Sequence, residues 1–244
     1  MQPGHPAAAP RWTEGKRVLY WLEKERNSIK IFLSSRVFVA SLCVLAAVDL
    51  AFILVHVTFS HWRFDIERDG SFSEMSEHLE MALCAVLTTA CFARTRQPIY
   101  LGMAAIYVCI LFDNKMGLHE DLGGVVSSLF PAAGASPLPG QALGELAIFA
   151  AFAMAGSVLG PWSWQRSTGE HRAAGSLFAL LIAALAVFAV GVDGVHEAFS
   201  ERAKWLVGVV EDGGEMLVLS AHCAFVLSLY SRLKLREWDR IVPV

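Results

Sequence analysis

The sequence predicts an all-α fold, an integral membrane six-helix transmembrane bundle, and three observations carry that prediction. Of the 244 residues, 55% are hydrophobic, more than a soluble domain usually carries. The apolar runs are long: Ala173 to Val192 is 20 residues without a charge, enough to cross a hydrocarbon core of about 30 Å. Lys and Arg then fall on one side of successive runs, as they do in multi-pass membrane proteins.

Residues 1–36 make a charged N-terminal segment. Within it, 12–32 reads as a basic, aromatic amphipathic helix lying on the membrane surface. The first apolar run is too long for the h-region of a cleavable signal peptide, so this end is expected to act as a retained signal anchor. The transmembrane domain covers 37–230. Its first span, Val37 to Phe59, is interrupted only by Asp49 and His56. Further spans follow at 78–93, 99–118, 142–160, 173–192 and 206–230. Between the third and fourth, Gly123 to Gly140 is rich in Pro and Gly yet apolar, and reads as either a plain loop or a re-entrant segment in the outer leaflet. Residues 231–244 form a basic tail.

The positive charges set the orientation. Of the 20 Lys and Arg, 15 fall in the N-terminal segment, the loops after spans two and four, and the tail. The remaining five are Arg63, Arg68, Lys115, Arg202 and Lys204. Both termini are therefore expected in the cytoplasm, and a bacterial inner membrane is the simplest location. The lipid bilayer is the expected partner. Nothing suggests nucleic acid, and a non-catalytic place among other membrane subunits is a further possibility. The five cysteines all fall in predicted spans without a CxxC spacing, which reads as apolar packing. Trp162, Trp164, Trp205 and Trp238 suit the membrane interface.

One pattern recurs three times: an acid and a histidine end one span, and a glutamate opens the next. The sets are Asp49, His56 and Glu80; Asp113, His119 and Glu145; Asp193, His196 and Glu215. Gly117-Leu-His-Glu120 also resembles Gly194-Val-His-Glu197, so three outward-facing helical hairpin repeats are expected. Helical spacing turns many of these groups inward. Asp49 and His56 are seven apart, as are Asp113 and Glu120; Glu211, Glu215 and His222 share a face.

Ionisable groups inside a membrane are expensive and usually functional. Carboxylates and imidazoles without thiolates suit a divalent metal, Fe, Mn or Zn. The expected ligands are His56, Glu80, His119, Glu120, Glu145, Asp193, His196, Glu197, Glu211, Glu215 and His222, with Glu77 and Asp212 as general base or supporting groups. Such a centre at the non-cytoplasmic leaflet would serve a hydrolase or oxidoreductase acting on an amphipathic, lipid-like substrate. Three other readings of the same residues stay open: a proton or ion path of a transporter, satisfied structural pairs, and a haem bracketed by two of His56, His119, His196 and His222. In the first outer loop, Asp65-Ile-Glu67-Arg-Asp69-Gly70 matches the start of a calcium loop. Its twelfth position is Ser76 where a glutamate is needed, which favours a solvated acidic loop running into a helix cap.

Overall fold

A chain in lipid must satisfy its backbone internally, and this one does so with helices. The computed structural model describes residues 23, 26–59, 61–129, 140–192 and 201–241, and no strand occurs among them. Residues 26–33 are helical; the rest of the expected N-terminal amphipathic helix lies outside the described residues.

Helix α1, Arg36–Thr58, begins at Ser35, whose hydroxyl accepts the Phe38 N–H at 3.0 Å. A short 3₁₀ turn, Trp62–Phe64, follows. Helix α2, Phe72–Thr95, opens with a capping box: Ser71 Oγ accepts the Glu74 N–H, and the Glu74 carboxylate reaches back to the Gly70 N–H. The acidic outer loop thus ends in a helix cap. Helix α3, Pro98–Met116, starts on a proline, which needs no donor there, and stops at Gly117. Gly117 has φ +60°, a left-handed conformation that costs glycine little, and its N–H closes onto the Asp113 carbonyl.

That stop corrects two expectations. Asp113 and Glu120 are seven apart, but the helix between them is broken at Gly117, so the spacing does not give a shared face. The segment from Gly123, expected as either a plain loop or a re-entrant segment, is helical through Leu129, within α4, Leu118–Leu129, which corrects the plain-loop alternative. Residues 130–139 lie outside the described residues. Helix α5 is Gly140–Gln165 and packs on α4. Helix α6, Gly169–Ala186, widens into a π-helical turn, Val187–Val192. Helix α7, Glu201–Ile241, is 41 residues, about 60 Å long at 1.5 Å per residue. It therefore extends well past a hydrocarbon core.

Among the described residues, four helices are long and apolar enough to cross a membrane: Arg36–Thr58, Pro98–Met116, Gly169–Val192 and Ala203–Leu235. α7 is the axis of the fold, with α1, α2 and α6 packed against it; α3 packs on α2, α5 and α6. Contacts fix the directions. Ser35 meets Ser228 and Ile53 meets Gly213, so α1 runs against α7. Glu80 meets Ser220 and Arg94 covers the Tyr230 ring, so α2 runs with α7. Phe178 meets His222 and Phe188 meets Gly214, so α6 runs against it. The consequence is that α1 and α2 are held on α7 more than on each other, whereas α3 packs directly on α5 and α6 directly on α7. The three expected hairpins are therefore not packed alike.

The main apolar core joins α2, α3, α6 and α7 through Cys84, Met103, Tyr107, Phe178, Phe225 and their neighbours. Outside it, the surface is the reverse of a soluble protein. On α1, Val44 is 64% exposed and Leu54 63%, while Asp49 between them is 2% exposed. On α2, Met75, Leu79, Leu83 and Val86 face out, and Glu80 and Thr88 face in. Apolar groups outside with carboxylates inside are what a lipid solvent selects.

Candidate functional site

Three helices bring their polar positions to one place. α7 supplies Ser220, wholly buried one turn beyond Met216. Its hydroxyl donates to Asp49 Oδ2 of α1 at 2.6 Å and lies 3.4 Å from Glu80 Oε1 of α2. Glu80 is 8% exposed, and its Oε2 has no hydrogen-bond partner. Among the described residues no Lys, Arg or His forms an ion pair with Asp49 or Glu80. A hydroxyl owns one proton and can give it to one acceptor. With that proton on Asp49, the contact to Glu80 becomes a hydrogen bond only if Glu80 carries a proton of its own.

The carboxylates extend toward the start of α7. Glu77, one turn before Glu80, interacts electrostatically with Glu215, Asp212, Glu80 and Asp49. Glu80, Asp212 and Glu215 are thus each near Glu77. Close backbone approach makes room for this wall. A Cβ on Gly213 would stand 2.9 Å from Ile53 Cδ1 of α1, and one on Gly214 would run into the Phe188 ring of the π-helical turn.

The histidines go elsewhere. His56 closes α1 onto the outer loop: its Nδ1 accepts the Ile66 N–H at 3.3 Å and is 3.3 Å from Asp65 Oδ1, and its Nε2 is 3.7 Å from Glu67 Oε1. Asp65 and Glu67 are therefore turned toward a histidine, not around a common ion. His222 sits seven residues past Glu215, about 10 Å along the axis. It is fully buried, with Nδ1 2.8 Å from the Tyr107 hydroxyl and the Tyr107 and Phe178 rings edge-on to it. His222 and His56 are thus engaged with Tyr107 and with the outer loop, respectively. Glu211 lies on the same helix as His222, half-buried.

Asp193, His196 and Glu197 lie outside the described residues, as do the side chains of His119, Glu120 and Glu145. Among the described residues, no group of three His, Cys, Asp or Glu side chains could hold a metal ion. Asp113 is buried near the end of α3.

Sequence reasoning missed Ser220, Tyr107 and Cys84. Ser220 bridges the two buried acids. Tyr107 holds His222. Cys84 faces Cys223 and the Tyr107 hydroxyl. Each looks like an ordinary residue of an apolar span. The available signal was helical register: Glu80 and Cys84 are one turn apart, and so are Met216 and Ser220.

A protein-family model described as Domain of unknown function (DUF8692) matches residues 31–229. No curated protein and no solved structure matches the chain.

Proposed function

The chain belongs to that family, whose description assigns no activity, and we propose from the residues themselves that it is a proton-coupled membrane carrier. The proton site is the Asp49–Ser220–Glu80 bridge. The observation that carries this reading is the single Ser220 hydroxyl between two buried carboxylates, 2.6 Å from one and 3.4 Å from the other, with one carboxylate oxygen unpartnered. Two like charges this close in a low dielectric cannot both persist, and one retained proton resolves the conflict. Loss and gain of that proton changes the attraction between α1, α2 and α7, which is the kind of bias that drives alternating states.

The test is infrared spectroscopy of the purified full chain in lipid. A protonated-carboxyl band that disappears in Asp49→Asn or Glu80→Gln, and shifts in D₂O, is the expected result. A wild type with only carboxylate bands would sink the reading.

The bundle in this proposal has six spans, with α2 and α5 joining the four apolar helices. The support is the outward apolar stripe of α2, Met75, Leu79, Leu83 and Val86, and the inward turn of its acids. The charge asymmetry supports cytoplasmic termini. Arg94, Arg166 and Arg232 stack on the Tyr230, Trp162 and Phe32 rings, respectively, at the end of the bundle opposite the acids. A reporter fused after Val244 that reads on the far side of the membrane would overturn this orientation. A bacterial inner membrane and the three-hairpin repeat remain parts of the proposal that rest on sequence.

A second reading, a metal-dependent enzyme on a lipid-like substrate, is favoured by one observation: four carboxylates act on Glu77. Glu77, Asp212 and Glu215 do not by themselves form a metal site among the described residues, so a divalent ion here would need further ligands such as His196 to neutralise them. Elemental analysis decides. Stoichiometric Fe, Mn or Zn that is lost in Glu215→Ala would replace the proton reading at this end of the bundle.

A further inference from the structure

At the end of the bundle away from the acids, three segments meet at one corner: residues 26–33, the start of α1 and the last turns of α7. Phe32 ties them together. It is 3% exposed and lies edge-on to the Phe225 ring of α7, with 5.9 Å between centroids. The Arg232 guanidinium of α7 stands 4.9 Å from the centre of the Phe32 ring. Three residues on, the Ser35 and Ser228 hydroxyls are joined at 2.6 Å. The backbone of this corner is thus anchored in the core beneath it.

What the corner turns outward is positive. Arg26 and Lys30 are one turn apart and both exposed, while Ile29 and Phe32 turn toward the core. Arg36 is exposed in the first turn of α1, and Lys234 is exposed beside Arg232. Among the described residues none of these five cations forms an ion pair. The described carboxylates at this end are Glu23 and Glu170, two against the five. Arg36 adds a further conflict. The first turn of α1 holds no acid, so a cation sits at the positive end of a helix dipole, where an anion is the favoured charge. An external anion relieves both the mutual repulsion and this local one.

The same corner is also apolar. Ile31 is 51% exposed and Leu235 61%, and Leu33 and Val37 are exposed between the cations. A small anion from water leaves those groups uncovered. A phospholipid meets both demands, because its phosphate faces the cations while its acyl chains cover the apolar side chains. Arg232 is suited to the phosphate. Its flat face is taken by the Phe32 ring, and guanidinium N–H groups project from the edge in a fork that matches two phosphate oxygens. A zwitterionic headgroup brings its own ammonium and leaves the positive excess in place.

We infer that this corner binds an anionic phospholipid of the surrounding leaflet, with Arg232, Lys30 and Arg36 on its phosphate and its acyl chains along Val37 and the outer face of α1. The site is independent of the Asp49–Glu80 pair and stands whether or not that pair holds a proton.

The test measures lipid binding to the detergent-solubilised full chain by native mass spectrometry. The probes are phosphatidylglycerol and phosphatidylcholine with identical acyl chains. Wild type should hold phosphatidylglycerol with the lower Kd. Lys30→Gln combined with Arg36→Gln should weaken phosphatidylglycerol binding about 30-fold, the effect of two basic groups at an anionic headgroup, and leave phosphatidylcholine binding unchanged. Circular dichroism checks that the variant folds; if it does not, Lys30→Gln alone should give about a 5-fold loss. Arg96→Gln combined with Arg166→Gln removes the same charge elsewhere at this end and should leave the Kd unchanged. Equal Kd values for the two lipids in wild type overturn the inference, as does an unchanged phosphatidylglycerol Kd in the folded Lys30 variants. An equal loss in the Arg96 and Arg166 pair would show diffuse attraction without a site, and overturns it too. Inorganic phosphate that displaces phosphatidylglycerol at matched concentration would make this a free-anion site and overturn the lipid.

Discussion

Ser220 on α7 and Asp49 on α1 are joined across 2.6 Å at the centre of a helix pair whose outer surface is valine and leucine. The bond connects residues 171 positions apart, and it fixes the depth and rotation of α1 on the central helix. Removing the hydroxyl should leave a buried carboxyl without its donor. Ser220→Ala is expected to lower stability by about 1–3 kcal/mol, read as a shift in the unfolding midpoint in mixed micelles. An unchanged midpoint would show that Asp49 is held by other groups.

Gly214 faces the Phe188 ring where the π-helical turn crosses α7. A larger residue must push the ring aside, and overpacking of this kind costs about 1–3 kcal/mol. Gly214→Val should therefore be destabilising on its own and partly rescued by Phe188→Ala. The measurement is a double-mutant cycle on thermal stability; additive effects would mean that the two positions do not meet.

Membrane insertion of α1 should depend on its outer face and little on Asp49. Leu50 is 56% exposed, and a lysine there places a charge in lipid at about 2.5–3.5 kcal/mol. Leu50→Lys is expected to reduce the membrane-inserted fraction strongly, while Asp49→Asn leaves it intact. Equal insertion of both variants in a glycosylation-site or protease-protection assay would contradict a lipid-facing Leu50.

The start of α2 depends on Ser71, which is buried and accepts the Glu74 N–H. Ser71→Ala should cost about 1 kcal/mol, while Ser71→Asp should retain most of the capping. Hydrogen exchange of the amides around Glu74 would report this locally. Protection that survives in the alanine variant would show that Ser71 Oγ does not hold the Glu74 amide.

Much of the fold was legible in the residues because a bilayer imposes strict demands. Twenty uncharged residues from Ala173 to Val192 have few alternatives to a helix, and the helix found there runs to Val192. Asp49 and Glu80 stood out as acids in apolar runs, and they do meet. Asp212 and Glu215 act electrostatically on Glu77 across the α2–α7 contact. His222 did not follow. Its spacing from Glu215 gave the correct face of α7, but depth along the axis put it with Tyr107. Asp113 and Glu120 failed for a local reason, the left-handed turn at Gly117.

By itself, the sequence determined that this chain is helical and apolar on its outside, and that its acids must turn inward, because lipid solvates neither open backbone nor charge. It also determined which residues lie on one face of one helix. Only the tertiary structure decided which faces meet. That α7 is the axis, that Ser220 stands between two carboxyls and that His222 hangs on Tyr107 all depend on how helices distant in the chain settle against one another. Periodicity specifies rotation within a helix; packing specifies depth and partner, and it is set by many weak contacts spread over the whole bundle.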